Sequence, residues 1–231
     1  MSAALTVLSS PAMRAGIVPF FCLLASLTGP QAALAASGCP APKAMRFEVD
    51  HKIYRDVLGF TEGLEFHDHA LYESTGSLGG GTRLLKMDSG GKVTELADYG
   101  QKYFGEGLTF LGGRAYQLTW QDHLVFVYDK DFKLIRTLKN PHDGWGMTND
   151  GRYLIFGDGG DHLYFADPES FAIKGDVVVR MGNKTVDNVN ELEYVDGKIY
   201  ANIWMTRTIV RLDEKTGCVE AMARMDTLWD H

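Results

Sequence analysis

Two short stretches repeat one pattern of chemistry-bearing residues. "FTEGLEF" (residues 60–66) and "FGEGLTF" (residues 104–110) each set a glutamate two residues after a phenylalanine and directly before a glycine. A carboxyl is an acid/base group, and its pKa rises when apolar walls strip it of water. Trp120, Trp145, Asn190 and Trp204 stand further along, in "LTW", "GWGMTND", "NELEY" and "NIW". Aromatic walls around carboxyls and an amide suit a small polar ligand with a neutral or cationic end. The competing reading is structural: acids at such positions can instead accept N–H bonds from a neighbouring strand.

These side chains are far apart in the chain, so the elements that carry them must converge. After Pro42 the sequence is a series of short runs in which aromatic and β-branched residues alternate with polar ones. Turn residues break the series every eight to twelve positions. No stretch of twelve or more residues carries a helical stripe. The runs group in threes, and each trio follows a shorter run anchored by Leu64, Leu108, Met147 or Leu192. These anchors are 44, 39 and 45 residues apart. A four-strand unit at this period is the signature of a β-propeller blade. A sandwich of irregular hairpins would not put the motif at the same place in every unit.

The innermost strand of each blade lines the channel, so the starts of these strands meet at one mouth. That gathers Phe60, Glu62, Phe104, Glu106, Trp145 and Asn190. Trp120 and Trp204 end second strands and are expected on the rim. The chain holds four such units plus an N-terminal strand at residues 47–55, and it ends at "DTLWDH". The expectation is an all-β propeller of four blades, with a further blade begun by the orphan strand and truncated.

Residues 1–36 have the form of a signal peptide: Arg14, then "AGIVPFFCLLASL", then "AALAAS". The apolar run is too short, and too interrupted by Pro19, for a membrane helix. Residues 37–46 read as a linker and 47–231 as the propeller domain. Arg14 is the only charged residue of the leader, so its removal takes the net charge from −7 to −8. That acidic balance argues against nucleic acid and anionic membranes as partners. A periplasmic or secreted monomer is expected. Cys22 leaves with the leader, while Cys39 and Cys218 remain near the two ends. An exported pair can form a disulfide, and a propeller brings its ends together. Two unrelated thiols, or a lipid anchor on Cys39, are the alternatives. "HDH" (residues 67–69) and "GDGGDH" (residues 157–162) read as hairpin turns rather than metal sites.

Taken together, "FTEGLEF", "YESTG", "FGEGLTF", "LTW", "GWGMTNDG", "NELEY" and "NIW" resemble the plant and bacterial type of glutaminyl-peptide cyclotransferase, in order and spacing. The resemblance runs from about residue 47 to residue 225. It implies a five-bladed propeller that converts N-terminal glutamine of peptides to pyroglutamate and releases ammonia. It implies Glu106 as acid/base residue, a cage of Phe60, Phe104, Trp120, Trp145 and Trp204, and Asn190 as hydrogen-bonding partner. It implies no cofactor, neither redox group nor catalytic zinc.

Two departures stand out. Glu62 occupies a position where the family often has glutamine. Members of the family also extend beyond the equivalent of "RMDTLWDH", with the last blade's inner strands and a lysine near the site. An incomplete chain and a member without activity both fit that difference. Two other classes compete: a calcium-dependent lactonase-type propeller with Glu62, Asn149 and Asn190 as oxygen ligands, and a non-catalytic binding propeller.

Overall fold

The structure is a computed structural model, and it describes residues 38–49, 52, 59–76 and 81–226. The leader at residues 1–36 lies outside the described residues. So does most of the strand expected at 47–55; residues 47–49 and 52 are described and are not in a strand.

The repeated runs form four antiparallel sheets of four consecutive strands. The first comprises β2 (Phe60–His67), β3 (Ala70–Gly76), β4 (Arg83–Met87) and β5 (Val93–Asp98). The second comprises β6 (Gly105–Leu111), β7 (Arg114–Thr119), β8 (Leu124–Tyr128) and β9 (Leu134–Lys139). The third comprises β10 (Met147–Asn149), β11 (Leu154–Gly157), β12 (His162–Ala166) and β13 (Ile173–Val178). The fourth comprises β16 (Val189–Val195), β17 (Lys198–Ile203), β18 (Thr208–Asp213) and β19 (Val219–Arg224). Several neighbouring strands are joined by two-residue turns, as at β2–β3, β6–β7 and β16–β17. At β2–β3 the turn residues Asp68 and His69 take φ of 44° and 63°, as a hairpin of this twist requires. These sheets are the blades of a propeller.

Three buried apolar clusters fill the three interfaces between successive blades. Tyr72 and Leu84 of the first blade meet Leu108, Phe126 and Tyr128 of the second. Tyr116, Leu118 and Val125 meet Met147, Leu154 and Phe156 of the third. Ile155 and Leu163 meet Val189, Leu192 and Ile199 of the fourth. Each such side chain contributes about 1.5–3 kcal/mol on burial, so the stacking of blades is the main source of stability.

Near the axis the inner strands touch backbone to backbone, and glycine makes this possible. A Cβ on Gly63 would lie 2.6 Å from the nitrogen of Leu108. One on Gly107 would lie 2.3 Å from that of Met147, and one on Gly146 would lie 2.1 Å from the oxygen of Asn190. The glycine after each anchor glutamate or tryptophan therefore lets blade one seat on two, two on three, and three on four. The fourth blade has Glu191 at the equivalent position. Its Oε1 accepts the N–H of Leu64 at 2.8 Å, so a side chain joins β16 to β2.

The stretch read as a linker carries a strand of its own. β1 (Lys43–Ala44) pairs in parallel with β19 and adds a fifth strand to the fourth blade. A two-residue edge pairing leaves no alternation to read, and Pro40 and Pro42 just before it have no N–H for a ladder. A further hairpin, β14 (Arg180–Met181) with β15 (Lys184–Thr185), links the third and fourth blades. The Cys39 N–H donates to Gly182 in its turn, and the Arg180 N–H donates to Gly217. Cys39 and Cys218 are thereby brought together and form a disulfide, with Cα atoms 5.3 Å apart.

Candidate active site

A cavity of ≈ 180 Å³ opens at the mouth where the inner strands begin. It is lined by Glu62, Phe104, Glu106, Trp120, Trp145, Asn190 and Trp204. Phe60 is placed differently. It begins β2 at the same mouth but is 68% exposed and does not line the cavity.

β-Bulges set the three polar site residues. In β2 the pairing skips between Thr61 and Gly63, leaving Glu62 as the extra residue. In β6 it skips between Gly105 and Leu108, around Glu106. In β16 it skips between Val189 and Leu192, around Asn190. A bulge breaks strict alternation and re-aims the side chain it carries. Here it frees the glutamates and the asparagine from the apolar/polar order of their strands. The bulge in β16 is held by the Asn202 side chain, which accepts the Glu191 N–H at 2.8 Å.

The aromatic walls come as two edge-to-face pairs. Phe104 and Trp120 have ring centroids 5.7 Å apart at 63°, and Trp145 and Trp204 5.5 Å apart at 86°. Backbone bonds lock both pairs to the blades. The Trp120 N–H donates to Phe104, the Trp145 N–H to Gly157, and the Trp204 N–H to Asn188. Two glycines make flat seats for the rings. A Cβ on Gly76 would lie 2.3 Å from Phe104, and one on Gly159 would lie 2.4 Å from Trp145.

Glu106 is 6% exposed, at the foot of these walls. Burial raises its pKa to about 10, and the facing carboxyls of Glu62 and Glu191 add to the rise. Glu62 is half-buried, and loss of hydration raises it to about 7. Glu191 is pushed well above the usual carboxylate range, chiefly by burial. At neutral pH the site therefore contains a protonated Glu106 beside a Glu62 poised between its two states. Sequence reasoning passed over Glu191; the register of E-G-L, E-G-L, W-G-M and N-E-L would have exposed it as the acid in a glycine position.

The ligand set of the lactonase reading does not assemble. Asn149 lies at the far end of β10 from Trp145 and does not line the cavity. Its amide donates to the Thr109 hydroxyl at 2.7 Å and to the Phe110 carbonyl at 3.0 Å, and its oxygen accepts from Gly151. The strand carries it away from the mouth that holds Glu62 and Asn190. Among the described residues no group of three or more His, Cys, Asp or Glu side chains is arranged to hold a metal ion.

Comparison with known proteins identifies the family. A family model described as glutamine cyclotransferase matches residues 21–231. The chain belongs to the glutamine cyclotransferase family. Glutaminyl-peptide cyclotransferase of Arabidopsis thaliana is 37% identical over 174 residues, which cover 74% of this chain and 54% of that protein. The chain thus spans about half the length of the curated relative it matches. The crystal structure of Myxococcus xanthus glutaminyl cyclase superposes with a TM-score of 0.66 at 32% identity, covering 77% of this chain and 80% of that one. A nidogen/laminin complex matches with a TM-score of 0.50 at 12% identity, a likeness of fold alone.

Proposed function

We propose that this protein is an exported glutaminyl-peptide cyclotransferase, with the cavity at the blade mouths as its active site. The observation that carries the reading is the buried Glu106 carboxyl at the foot of Phe104, Trp120, Trp145 and Trp204. The substrate class is peptides and proteins with N-terminal glutamine. The α-amine attacks the γ-carboxamide carbon of the same residue, and a five-membered lactam forms as ammonia departs. An intramolecular attack gains most from being held folded, which rigid aromatic walls do at little entropic cost. The Asn190 amide is suited to stabilise the oxygen charge that develops on the carbonyl.

Glu106 enters the reaction protonated, as its burial dictates. It gives that proton to the departing nitrogen and regains one from the ring nitrogen. Such acid/base assistance typically contributes about 10²–10⁴-fold. The disulfide between Cys39 and Cys218 supports folding in an oxidising compartment, consistent with the signal-like leader.

Ammonia release from a peptide with N-terminal glutamine tests the reading. Wild-type protein is expected to release it, and Glu106→Gln to do so about 10²–10⁴-fold more slowly while still unfolding in a single cooperative transition. A well-folded wild type that releases none would count against catalysis and favour a binding propeller. Glu106→Gln at full rate would remove Glu106 from the mechanism without touching the family.

A further inference from the structure

The stretch "GDGGDH" carries the turn between β11 and β12, at residues 158–161. None of these residues lines the cavity, yet the turn holds two of its walls. Gly159 is the flat seat of the Trp145 ring, and the Trp145 N–H donates to the Gly157 carbonyl at 3.1 Å. The Asn188 N–H donates to the Gly159 carbonyl at 3.0 Å, and the Trp204 N–H donates to the Asn188 carbonyl at 2.9 Å. Trp145 and Trp204, the edge-to-face pair, thus hang from one short turn. We propose that Asp158 is the positioning residue for this pair of walls, and through them for the substrate's glutaminyl residue. This rests on the cyclotransferase reading given above.

The turn needs an outside hold. Gly159 and Gly160 follow one another, and glycine has more backbone freedom to lose than any other residue. Asp158 supplies the hold with both oxygens. Its Oδ1 accepts the Gly160 N–H at 3.0 Å, which closes the turn across Gly159. Its Oδ2 accepts the Tyr164 hydroxyl at 3.0 Å, which ties the turn to β12.

Tyr164 carries the hold to the other side of Trp145. Its ring stacks on His142, with centroids 4.0 Å apart at 23°. His142 belongs to the segment that leads into Trp145, and its Nδ1 lies 3.6 Å from Asp158 Oδ2. The indole is therefore located from two directions, by its seat and by the chain that precedes it.

The second blade uses the same device at the same place. Asp122 lies in the turn between β7 and β8, the counterpart of the turn between β11 and β12. Its Oδ2 accepts the Phe104 N–H at 3.2 Å. An aspartate in the turn between second and third strands thus steadies each aromatic pair. Asp122 grips the wall residue directly, whereas Asp158 grips the seat beneath the wall.

The test compares wild type with Asp158→Ala, Asp158→Asn and Tyr164→Phe. The measurements are ammonia release from an N-terminal glutamine peptide, acrylamide quenching of tryptophan emission, and melting curves. Asp158→Ala is expected to raise KM about tenfold and to leave kcat within about threefold, the pattern of a lost binding contact. Its tryptophan emission should become easier to quench as Trp145 leaves its seat. Asp158→Asn keeps an oxygen for the Gly160 N–H and should bring KM back to within about threefold of wild type. Tyr164→Phe removes one of the two bonds and should raise KM about threefold. A purely structural role for Asp158 predicts a lower melting temperature with KM and quenching at their wild-type values, and that result would overturn the proposal. If Asp158→Ala does not fold, Tyr164→Phe decides by the same two readouts, and wild-type values there would overturn it equally. A wild type that releases no ammonia would sink the cyclotransferase reading; quenching alone then decides whether Asp158 holds the tryptophan wall.

Discussion

At the scale of single residues, the site is built by burying acids rather than by pairing them. Glu106 is held at about 10 and Glu62 at about 7, against an ordinary value of 4.5. Both folded values lie above the unfolded one, so the native state binds more protons throughout the interval. Stability is then greatest near pH 4.5 and is lost as pH rises. The Glu62 contribution is spent by about pH 7, while that of Glu106 keeps falling towards pH 10. Each group contributes a slope of at most about 1.4 kcal/mol per pH unit. Asp213 has the opposite sign, since its bond to Lys198 holds it at about 2, but it acts only below about pH 4. Denaturant titrations at pH 5, 6, 7 and 8 should show unfolding free energy declining across the series. Glu106→Gln should flatten that decline; a wild-type curve that rises with pH would contradict the burial argument.

At the scale of elements, the blades were legible and their irregularities were not. Alternating residues separated by turns mark strands directly, and "ALYESTG" is β3 to the residue. The period of the anchors Leu64, Leu108, Met147 and Leu192 then leads to the propeller and to one mouth for Glu62, Glu106 and Asn190. The bulges do not show, because a skipped register looks in sequence like imperfect alternation. The resemblance put Phe60 in the cage, but its side chain is exposed and does not line the cavity. β1 and the β14–β15 hairpin were missed because strands of two residues are too short to show alternation, and β1 also finds its partner across the length of the chain. The loop between β11 and β12 gives a test at this scale. Gly159 has φ +83°, and a Cβ there would collide with the Trp145 ring. Gly159→Ala should cost about 1–2 kcal/mol in stability through the left-handed backbone alone. It should also tilt Trp145 and raise KM about five- to thirty-fold, the equivalent of 1–2 kcal/mol, with less effect on kcat. Unchanged KM would show that the ring does not wall the substrate.

At the scale of the whole molecule, three interfaces between blades are apolar, while the junction of the fourth with the first is bridged by Glu191. The ends of the described chain are tied separately, by β1 on β19 and by the disulfide. Cys39 and Cys218 are 179 residues apart, and closing so long a loop restricts the unfolded chain strongly. Cys39→Ser with Cys218→Ser should lose about 2–4 kcal/mol, lowering the melting temperature by roughly 4–16 °C. An unchanged melting temperature would mean that β1 and the blade contacts suffice. The same bond has a further consequence. It turns nearly every blade into part of one covalent hoop, so a protease that cuts any single turn between the two cysteines opens the hoop without releasing a piece. Such a nicked molecule would keep its full mass on a non-reducing gel and fall into two fragments only when a thiol is added.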